Sequence, residues 1–242
     1  EKRAMALGIG TAAGSAGQFF FIPVAREFLV AYGWEMALVI MAIGSLSMIL
    51  FTPVFKKHEA ISSKIENEPR QNLREALSEA SKHIHYWLLI AGFFVCGFQL
   101  AFITVHMPAF LSDNGFDSSV AAASLSIIGL CNIIGSLTAG HLSGLYSKKW
   151  ILAFIYGARS IVIVLFLIIP ITTFTVYAFS FATGLLWLAT VPPTSGLVAQ
   201  MFGLRYMGTL YGFVFLNHQI GSFSGVWLGG YLFDTTGSYN QV

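Results

Sequence analysis

Residues 118–170 read SSVAAASLSIIGLCNIIGSLTAGHLSGLYSKKWILAFIYGARSIVIVLFLIIP. Two long apolar stretches stand here on either side of a short basic turn at Lys148 and Lys149. The hydrocarbon core of a bilayer is about 30 Å thick, and an α-helix needs about 20 predominantly apolar residues to cross it. Each stretch has that length, and Lys and Arg are concentrated in cytoplasmic loops. The segment therefore predicts two transmembrane helices, 118–145 and 150–170, that are joined on the cytoplasmic side.

The same pattern continues over the rest of the 242 residues. The chain is 56% hydrophobic and only 10% charged, whereas soluble domains carry about 25% charged residues. Turn-forming residues separate the apolar segments, and Pro192-Pro193 predicts a kink within one of them. Seven segments are long enough to span: 4–28, 35–55, 85–111, 118–145, 150–170, 172–200 and 206–232. We therefore predict an all-α membrane protein with seven transmembrane helices.

The basic residues orient these helices. Eleven of the thirteen stand at four places, which are 2–3, 56–82, 148–149 and 205. Each place follows the previous one after two crossings, so all four fall on the cytoplasmic side. We expect a multi-pass protein of the cell inner membrane. The two exceptions, Arg26 and Arg159, stand within apolar segments.

The one long loop, 56–84, contains eleven of the 24 charged residues and is the most highly charged part of the chain. After Pro69, the residues Leu73, Leu77 and Ala80 recur at helical spacing, with charged residues on the other face. This pattern predicts a short amphipathic helix at the membrane surface or against the ends of the bundle. A solvated linker helix is the alternative.

Several function classes have no support in the sequence. The net charge of +2 is small, and the basic residues beside the spans indicate topology and not nucleic-acid binding. Cys96 and Cys131 stand in apolar runs and are expected to be buried, with neither a disulfide framework nor metal-ligand spacing. No nucleophile elbow or phosphate-binding glycine loop is present. We expect no enzyme activity, no cofactor and no metal ion, and the cytoplasmic start disfavours a seven-helix receptor.

Three stretches resemble the major facilitator superfamily. The first ten residues, EKRAMALGIG, together with residues 17–18, 23 and 33–34, resemble its fifth and sixth helices. The stretch GHLSGLYSKK at 140–149 resembles the loop signature that the family repeats between helices eight and nine. Residues 208–239 resemble helix eleven of bacterial members near the monocarboxylate and oxalate/formate porters.

This resemblance implies a twelve-helix fold in two halves, of which the chain is a fragment covering helices five to eleven. Residues 1–55 are then the last two helices of the N-terminal half, 56–84 the cytoplasmic central loop, and 85–242 helices seven to eleven. The remaining helices of the full-length transporter are implied as partners, and the fragment alone is not expected to transport. The family works by alternating access around a site near the midplane.

Two positions depart from the family pattern. Gly144 stands where the loop signature usually has an acid, which puts the lock formed by that acid in doubt. Ser136 stands where the monocarboxylate and oxalate porters have an arginine. A serine cannot bind a carboxylate through charge and paired hydrogen bonds, so this departure weakens the monocarboxylate interpretation.

Arg159 is the basic residue that topology does not explain. It stands about nine residues into its span, which is about 14 Å at 1.5 Å per residue and so near the midplane. A mid-membrane arginine costs at least about 2.5–3.5 kcal/mol on insertion scales and needs a partner. One hypothesis is that it binds the substrate anion in place of the missing arginine. The other, which a supporting ninth helix favours, is that it bonds carbonyls or Tyr156 within the bundle.

Further polar residues within the spans are candidate substrate contacts. On the last span, Tyr211, His218 and Ser222 share a stripe that Asn217 flanks. Gln99 and His106 are seven residues apart on one face of the third span, and Asn132 is in the middle of the fourth. On the family map these residues belong to helices eleven, seven and eight, so they are expected to converge. No Asp or Glu stands deep in a span, so proton coupling, if present, falls to a histidine or to the missing helices.

The predicted function is secondary transport, by symport or antiport, of a small organic solute. An organic anion such as a monocarboxylate is favoured, with protons as a possible coupling ion. Efflux of amphipathic drug-like compounds is the alternative, which the glycine run of the first helix and the 15% aromatic content support.

Overall fold

The computed structural model describes residues 2–51, 72–237 and 239. Within them the chain forms eight α-helices and no strand, which confirms the predicted all-α class. The helices are α1 Lys2–Leu46, α2 Leu73–Lys82, α3 Ile84–Asp113, α4 Ser118–Leu145, α5 Lys148–Ile168, α6 Thr173–Leu186, α7 Val191–Phe202 and α8 Met207–Thr236. A 3-10 helix, Ser47–Phe51, follows α1. Most of the predicted long loop lies outside the described residues.

Five helical stretches in the described part of the chain are long and apolar enough to cross a membrane. They are Gly8–Leu46, Ile84–Asp113, Ser118–Leu145, Lys148–Ile168 and Thr173–Phe202. Seven were predicted; the first stretch contains two of them. The last predicted span corresponds to α8, which has 30 residues but is not among the five. The polar run Asn217-His218-Gln219 in its middle lowers its hydropathy.

Gly33 separates the two predicted helices that α1 contains. Its φ of 75° and ψ of 172° interrupt the helix, and glycine adopts a positive φ without the steric cost of a side chain. The helical runs are therefore 2–32 and 34–46. This break lies between the predicted spans 4–28 and 35–55, and the predicted end of the second span, 52–55, is outside the described residues.

Glycines let the backbones of α3 and α8 touch. Gly97 of α3 lies against the carbonyl oxygen of His218, and Gly221 of α8 lies against that of Phe94. A Cβ would not fit at either position, so these glycines provide the close approach on which helix packing in membranes depends. The contact is backbone to backbone, which describes tight packing and not a loose sliding surface.

The other extensive helix pair is α1 with α4. Gly8 lies against the carbonyl oxygen of Ser136, at 2.9 Å from an ideal Cβ position. The glycines with the recognisable four-residue spacing, Gly10 and Gly14, have no described atom within 4 Å of such a position. Close packing of α1 therefore depends on a different face from the one that the glycine spacing suggests.

The predicted kink at Pro192-Pro193 is displaced in the structure. α6 ends at Leu186, and α7 begins at Val191 with the prolines in its first turn. Proline has no backbone N–H, and the first turn of a helix is where that N–H has no intrahelical partner. The prolines therefore begin a new helix, and the chain opens just before them, at residues 187–190.

The short helix α2 packs against the end of the bundle. Its residues Ala76 and Ala80 are buried, and Asn72 and Glu75 form a capping box at its start. The indole N–H of Trp87 on α3 donates to the carbonyl oxygen of Ser81, 2.8 Å away. The next helix thus holds the C-terminal turn of α2 in place.

Arg26 links α1 to the start of α4. Its guanidinium is 2.6 Å from Glu27 and 3.7 Å from Asp117, and it donates to the Ser118 hydroxyl at 3.3 and 3.4 Å. Hydrogen bonds from the Ser119 side chain and backbone, and to a lesser degree the charge of Arg26, lower the pKa of Asp117. Arg26 thus contacts its neighbour Glu27 on α1 and also links α1 to α4.

Candidate functional site

The break between α6 and α7 is surrounded by polar side chains from four other helices. A helix break frees backbone groups, and inside a membrane these must be satisfied by protein or water. Side chains of α3, α4 and α5 reach the break, and α1 contributes through α4. This cluster is the main polar feature among the described residues within the spans.

Arg159 donates to the carbonyl groups that the break frees. It is fully buried, and its Nη2 bonds the carbonyl oxygens of Leu186 and Trp187 at 2.5 and 2.8 Å. Its Nη1 lies 3.4 Å from Cys96 Sγ and 3.5 Å from Gln99 Oε1. These contacts support the structural hypothesis for Arg159 and leave little of the guanidinium open to a substrate.

The charge of Arg159 has no ionic partner in the described part of the chain. Arg26 makes two ion pairs, with Glu27 and Asp117, and neither of them reaches Arg159. The guanidinium carbon lies 5.6 Å from the ring centre of Tyr156, a cation–π contact of the kind expected one helical turn away. The spans therefore enclose one positive charge that carbonyl dipoles and an aromatic ring stabilise without neutralising it.

Asn132 bonds the break from the opposite side. It is fully buried, its Oδ1 accepts from the backbone N–H of Leu188 at 2.9 Å, and its Nδ2 donates to Ser15 Oγ at 2.6 Å. The Ser15 hydroxyl in turn donates to the carbonyl oxygen of Thr11, 2.9 Å away. Both ends of the Asn132 amide are thus engaged within the bundle, and not displayed to a cavity.

The predicted stripe on α8 lies against α3. The His218 ring is largely buried between Phe93 and Phe215, with ring centres 4.9 and 5.4 Å away. Among the described residues, neither His218 Nδ1 nor Tyr211 Oη has a hydrogen-bond partner. These two atoms are therefore free to bond a solute or water.

The other two candidates on α8 bond backbone groups. Ser222 Oγ lies within hydrogen-bond distance of the carbonyl oxygens of Gly97 and His218, at 3.2 and 3.0 Å. Asn217 Nδ2 donates to the carbonyl oxygen of Phe213, 3.0 Å away on its own helix. Ser222 helps to join α3 to α8, whereas Asn217 leaves its amide oxygen available.

His106 lies apart from the break and joins α3 to the end of α8. Its Nε2 is 3.0 Å from the carbonyl oxygen of Val226 and its Nδ1 is 3.1 Å from Tyr239 Oη. Because a carbonyl oxygen only accepts, Nε2 carries a proton, and in the neutral ring Nδ1 then accepts from the Tyr239 hydroxyl. Both ring nitrogens of His106 are therefore satisfied by protein.

A cavity of about 420 Å³ lies between α3, α5 and α6. Its polar lining consists of Gln99, His106 and Tyr239, and the rest is apolar and largely aromatic. The apolar lining comprises Phe94, Val95, Phe98, Phe102, Ile103, Met107, Phe110, Ile163, Phe166, Leu167 and Phe179. Gln99 thus stands between the cavity and Arg159.

The predicted site residues fall into three groups and not one. Gln99 and Arg159 meet at the break, which Asn132 approaches from the far side. The predicted residues of α8 form the second group. His106, about two turns along α3 from Gln99, is the third. Cys96 and Ser15 were not predicted to take part. Cys96 Sγ lies 3.4 Å from Thr190 Oγ1, and no sequence signal separates these residues from ordinary small core residues.

The comparisons with known proteins agree with this helical architecture. The family model described as Major Facilitator Superfamily matches residues 1–226. The chain is 27% identical to the uncharacterized MFS-type transporter YcxA of Bacillus subtilis (strain 168) over 245 residues, which cover 98% of the chain and 59% of that protein. It is 26% identical to monocarboxylate transporter 12-B of Danio rerio over 276 residues, which cover 100% of the chain and 57% of that protein. The chain is 23% identical to the uncharacterized MFS-type transporter YhjX of Escherichia coli (strain K12) over 232 residues, which cover 92% of the chain and 56% of that protein. The chain thus spans less than three fifths of the length of these relatives.

Proposed function

The chain belongs to the major facilitator superfamily, and from this premise we propose that the whole protein is a secondary transporter. It moves a small organic anion, such as a monocarboxylate, across the inner membrane by alternating access. Protons are the proposed coupling ion, in symport or antiport. The transmembrane helices and the family support transport over an enzymatic role.

The observation that carries the anion assignment is the positive charge of Arg159 within the spans. The guanidinium is fully buried and has no carboxylate within ion-pair distance among the described residues. A charge in low dielectric acts over a longer range than one in water, so an anion at the midplane is stabilised without touching Arg159. Relatives named as monocarboxylate transporters give independent support.

We propose that the substrate is contacted from α8 and α3. Tyr211 and His218 offer polar atoms that no described protein group uses. Gln99 lies beside Arg159, at 3.5 Å. Asn217, Ser222, His106 and Asn132 remain on the proposed list of site residues, although the bonds described above favour packing roles for the last three.

Uptake into proteoliposomes tests the proposal directly. We expect the full-length protein to take up labelled pyruvate or lactate with saturation. The amides of the same acids, which match them in size but lack the negative charge, should neither enter nor compete. Transport of acid and amide at equal rates would contradict an anion carrier, and an empty-liposome control corrects for passive entry of the protonated acid.

The alternative function is efflux of amphipathic drug-like compounds. The aromatic lining of the cavity between α3, α5 and α6 favours it, because binding sites for such compounds are mostly apolar with a few polar groups. Calorimetry on the purified full-length protein separates the two functions. Binding of a lipophilic cation without binding of carboxylates would select efflux.

A further inference from the structure

The break between α6 and α7 creates a specific set of unpaired backbone groups. In a continuous helix, the carbonyl oxygens of Leu186 and Trp187 would accept from the N–H groups four residues later. Instead, the N–H of Val191 bonds the carbonyl oxygen of Leu188, at 3.0 Å. The N–H of Trp187 takes the carbonyl oxygen of Gly184, at 3.1 Å, so the N–H of Leu188 needs another acceptor.

Side chains from two helices replace the missing partners. Arg159 of α5 supplies donors to the carbonyl groups of Leu186 and Trp187, and Asn132 of α4 supplies the acceptor for the N–H of Leu188. We propose that Arg159 and Asn132 act together as positioning residues for transport, because they hold this break open in one geometry. We call the pair the clasp. The effect of the clasp on transport rate rests on the proposed transport function, whereas its effect on the structure of the break does not.

The clasp joins parts of the molecule that are distant in sequence. Through Ser15, Asn132 connects the break to α1. Through Nη1, Arg159 connects it to Cys96 and Gln99 of α3. The break is therefore the place where α1, α3, α4 and α5 are linked by side-chain bonds, and a change in its geometry displaces Gln99.

The geometry of Arg159 distinguishes positioning from anion binding. A guanidinium that binds a carboxylate presents two parallel N–H groups to it. Here Nη2 has both of its hydrogens directed at backbone carbonyl groups, and only Nε has no hydrogen-bond partner among the described residues. A single Nε–H cannot form the paired contact, so the hydrogen bonds of Arg159 act on the break, and only its long-range charge acts on a bound anion.

The kinetic test uses Arg159→Lys, which keeps the positive charge but loses the forked guanidinium, and Asn132→Leu, both in the full-length protein. We expect each to reduce the maximal rate of pyruvate uptake by about tenfold while KM changes by less than about twofold, because the interaction lost is not one with bound substrate. Arg74→Gln, on the exposed face of α2, is the matched control and should leave both values unchanged. A tenfold rise in KM for Arg159→Lys, with an unchanged maximal rate, would overturn the proposal in favour of direct, paired binding of the anion.

The second test does not depend on transport. Cys96 lies between Arg159 and Thr190 and has no exposed surface, so its reaction with N-ethylmaleimide reports the state of the clasp. With every other cysteine replaced, including Cys131→Ala, we expect labelling to be faster by about tenfold in Arg159→Gln, as buried thiols react only when exposed. Replacing both prolines, by Pro192→Ala and Pro193→Ala, restores backbone donors and should reduce that difference. Equal labelling of wild type and Arg159→Gln would refute the clasp, whether or not the protein transports pyruvate. Altered labelling without pyruvate uptake would refute only the transport proposal.

Discussion

At the scale of single residues, the two intramembrane histidines differ in the bonds they make. His106 has a partner for each ring nitrogen, whereas His218 Nδ1 has none among the described residues. The sequence treats them alike, because both are isolated histidines within apolar helices. The difference between the two histidines comes from the bonds of His106 to Tyr239 and Val226, which lie more than 100 residues away along the chain.

This difference leads to a prediction about pH dependence. We expect His218→Gln to change the dependence of uptake on pH, because no described protein group engages its ring nitrogen Nδ1, and histidine is a common proton carrier in proteins. His106→Gln should retain the wild-type pH profile. It should instead lower thermal stability by about 1 kcal/mol, since interhelical hydrogen bonds in membranes contribute roughly 0.6 kcal/mol each.

Uptake at a series of pH values and melting in detergent measure the two effects. An altered pH profile for His106→Gln with His218→Gln unchanged would reverse the assignment. If neither profile changes, proton coupling belongs to groups outside these two side chains.

At the scale of helices, the backbone contact between α3 and α8 is the least adjustable feature of the fold. Gly221 has the Phe94 carbonyl oxygen where a Cβ would stand, whereas Gly212, on the same helix, has no described atom within 4 Å. We expect Gly221→Ala to lower stability by about 1–3 kcal/mol, because an overpacked contact forces the backbones apart. Gly212→Ala should be neutral or slightly stabilising, because alanine has a higher helix propensity than glycine.

Thermal unfolding of the two purified variants compares them directly. Equal melting temperatures would show that α3 and α8 are not in backbone contact. The same pair of substitutions on one helix controls for effects on helix propensity.

The break between α6 and α7 shows what local sequence signals can and cannot predict for an element. Pro192 and Pro193 predicted a disruption within five residues of the observed one, because proline chemistry is local. The side chains that bond the freed backbone groups, those of Arg159 and Asn132, could not be predicted from this local signal. Those contacts span 27 to 56 residues of sequence, and only the packing of α4, α5 and α6 brings them together.

At the scale of the whole molecule, the class and most helix positions could be predicted, since hydropathy and loop charge act segment by segment. The way in which the candidate site residues come together in space could not be predicted. Gln99 and Arg159 contact each other, but neither His106 nor Asn132 contacts this pair. The face and depth at which a residue lies are set by packing between helices.

The link from Arg26 to the start of α4 predicts a state-dependent contact between helices that precede and follow the long loop. We expect Arg26→Ala to increase labelling, from the outside, of a cysteine introduced by Ala122→Cys. The Asp117 contribution carries a defined sign: its pKa is lowered by Ser119 and Arg26, so its stabilising effect is lost as pH falls through that lowered pKa. Acid slows thiol labelling in general, because the thiolate is the reactive form. The labelling rate of the parent should therefore be compared with that of Asp117→Asn, which keeps a good helix cap, and should rise relative to it in acid.

Glu27→Ala serves as the control for this link, since Glu27 contacts Arg26 but not α4. The labelling rate in that variant should match the parent. An equal increase in both single variants would mean that the local charge, and not the bond to Ser118 and Asp117, controls access.

The order of helices along the chain gives the clasp a consequence for biogenesis. Synthesis proceeds from the N-terminus, so Arg159 is made before Leu186 and Trp187, the residues whose carbonyl groups it bonds. On its own, α5 would bring into the bilayer an arginine that costs about 2.5–3.5 kcal/mol at the centre of a helix. α6 would likewise bring two carbonyl groups without donors. Because each supplies what the other lacks, α5 and α6 are expected to leave the insertion machinery together, as a hairpin. They would then pack against α4, which is already in the membrane and carries Asn132.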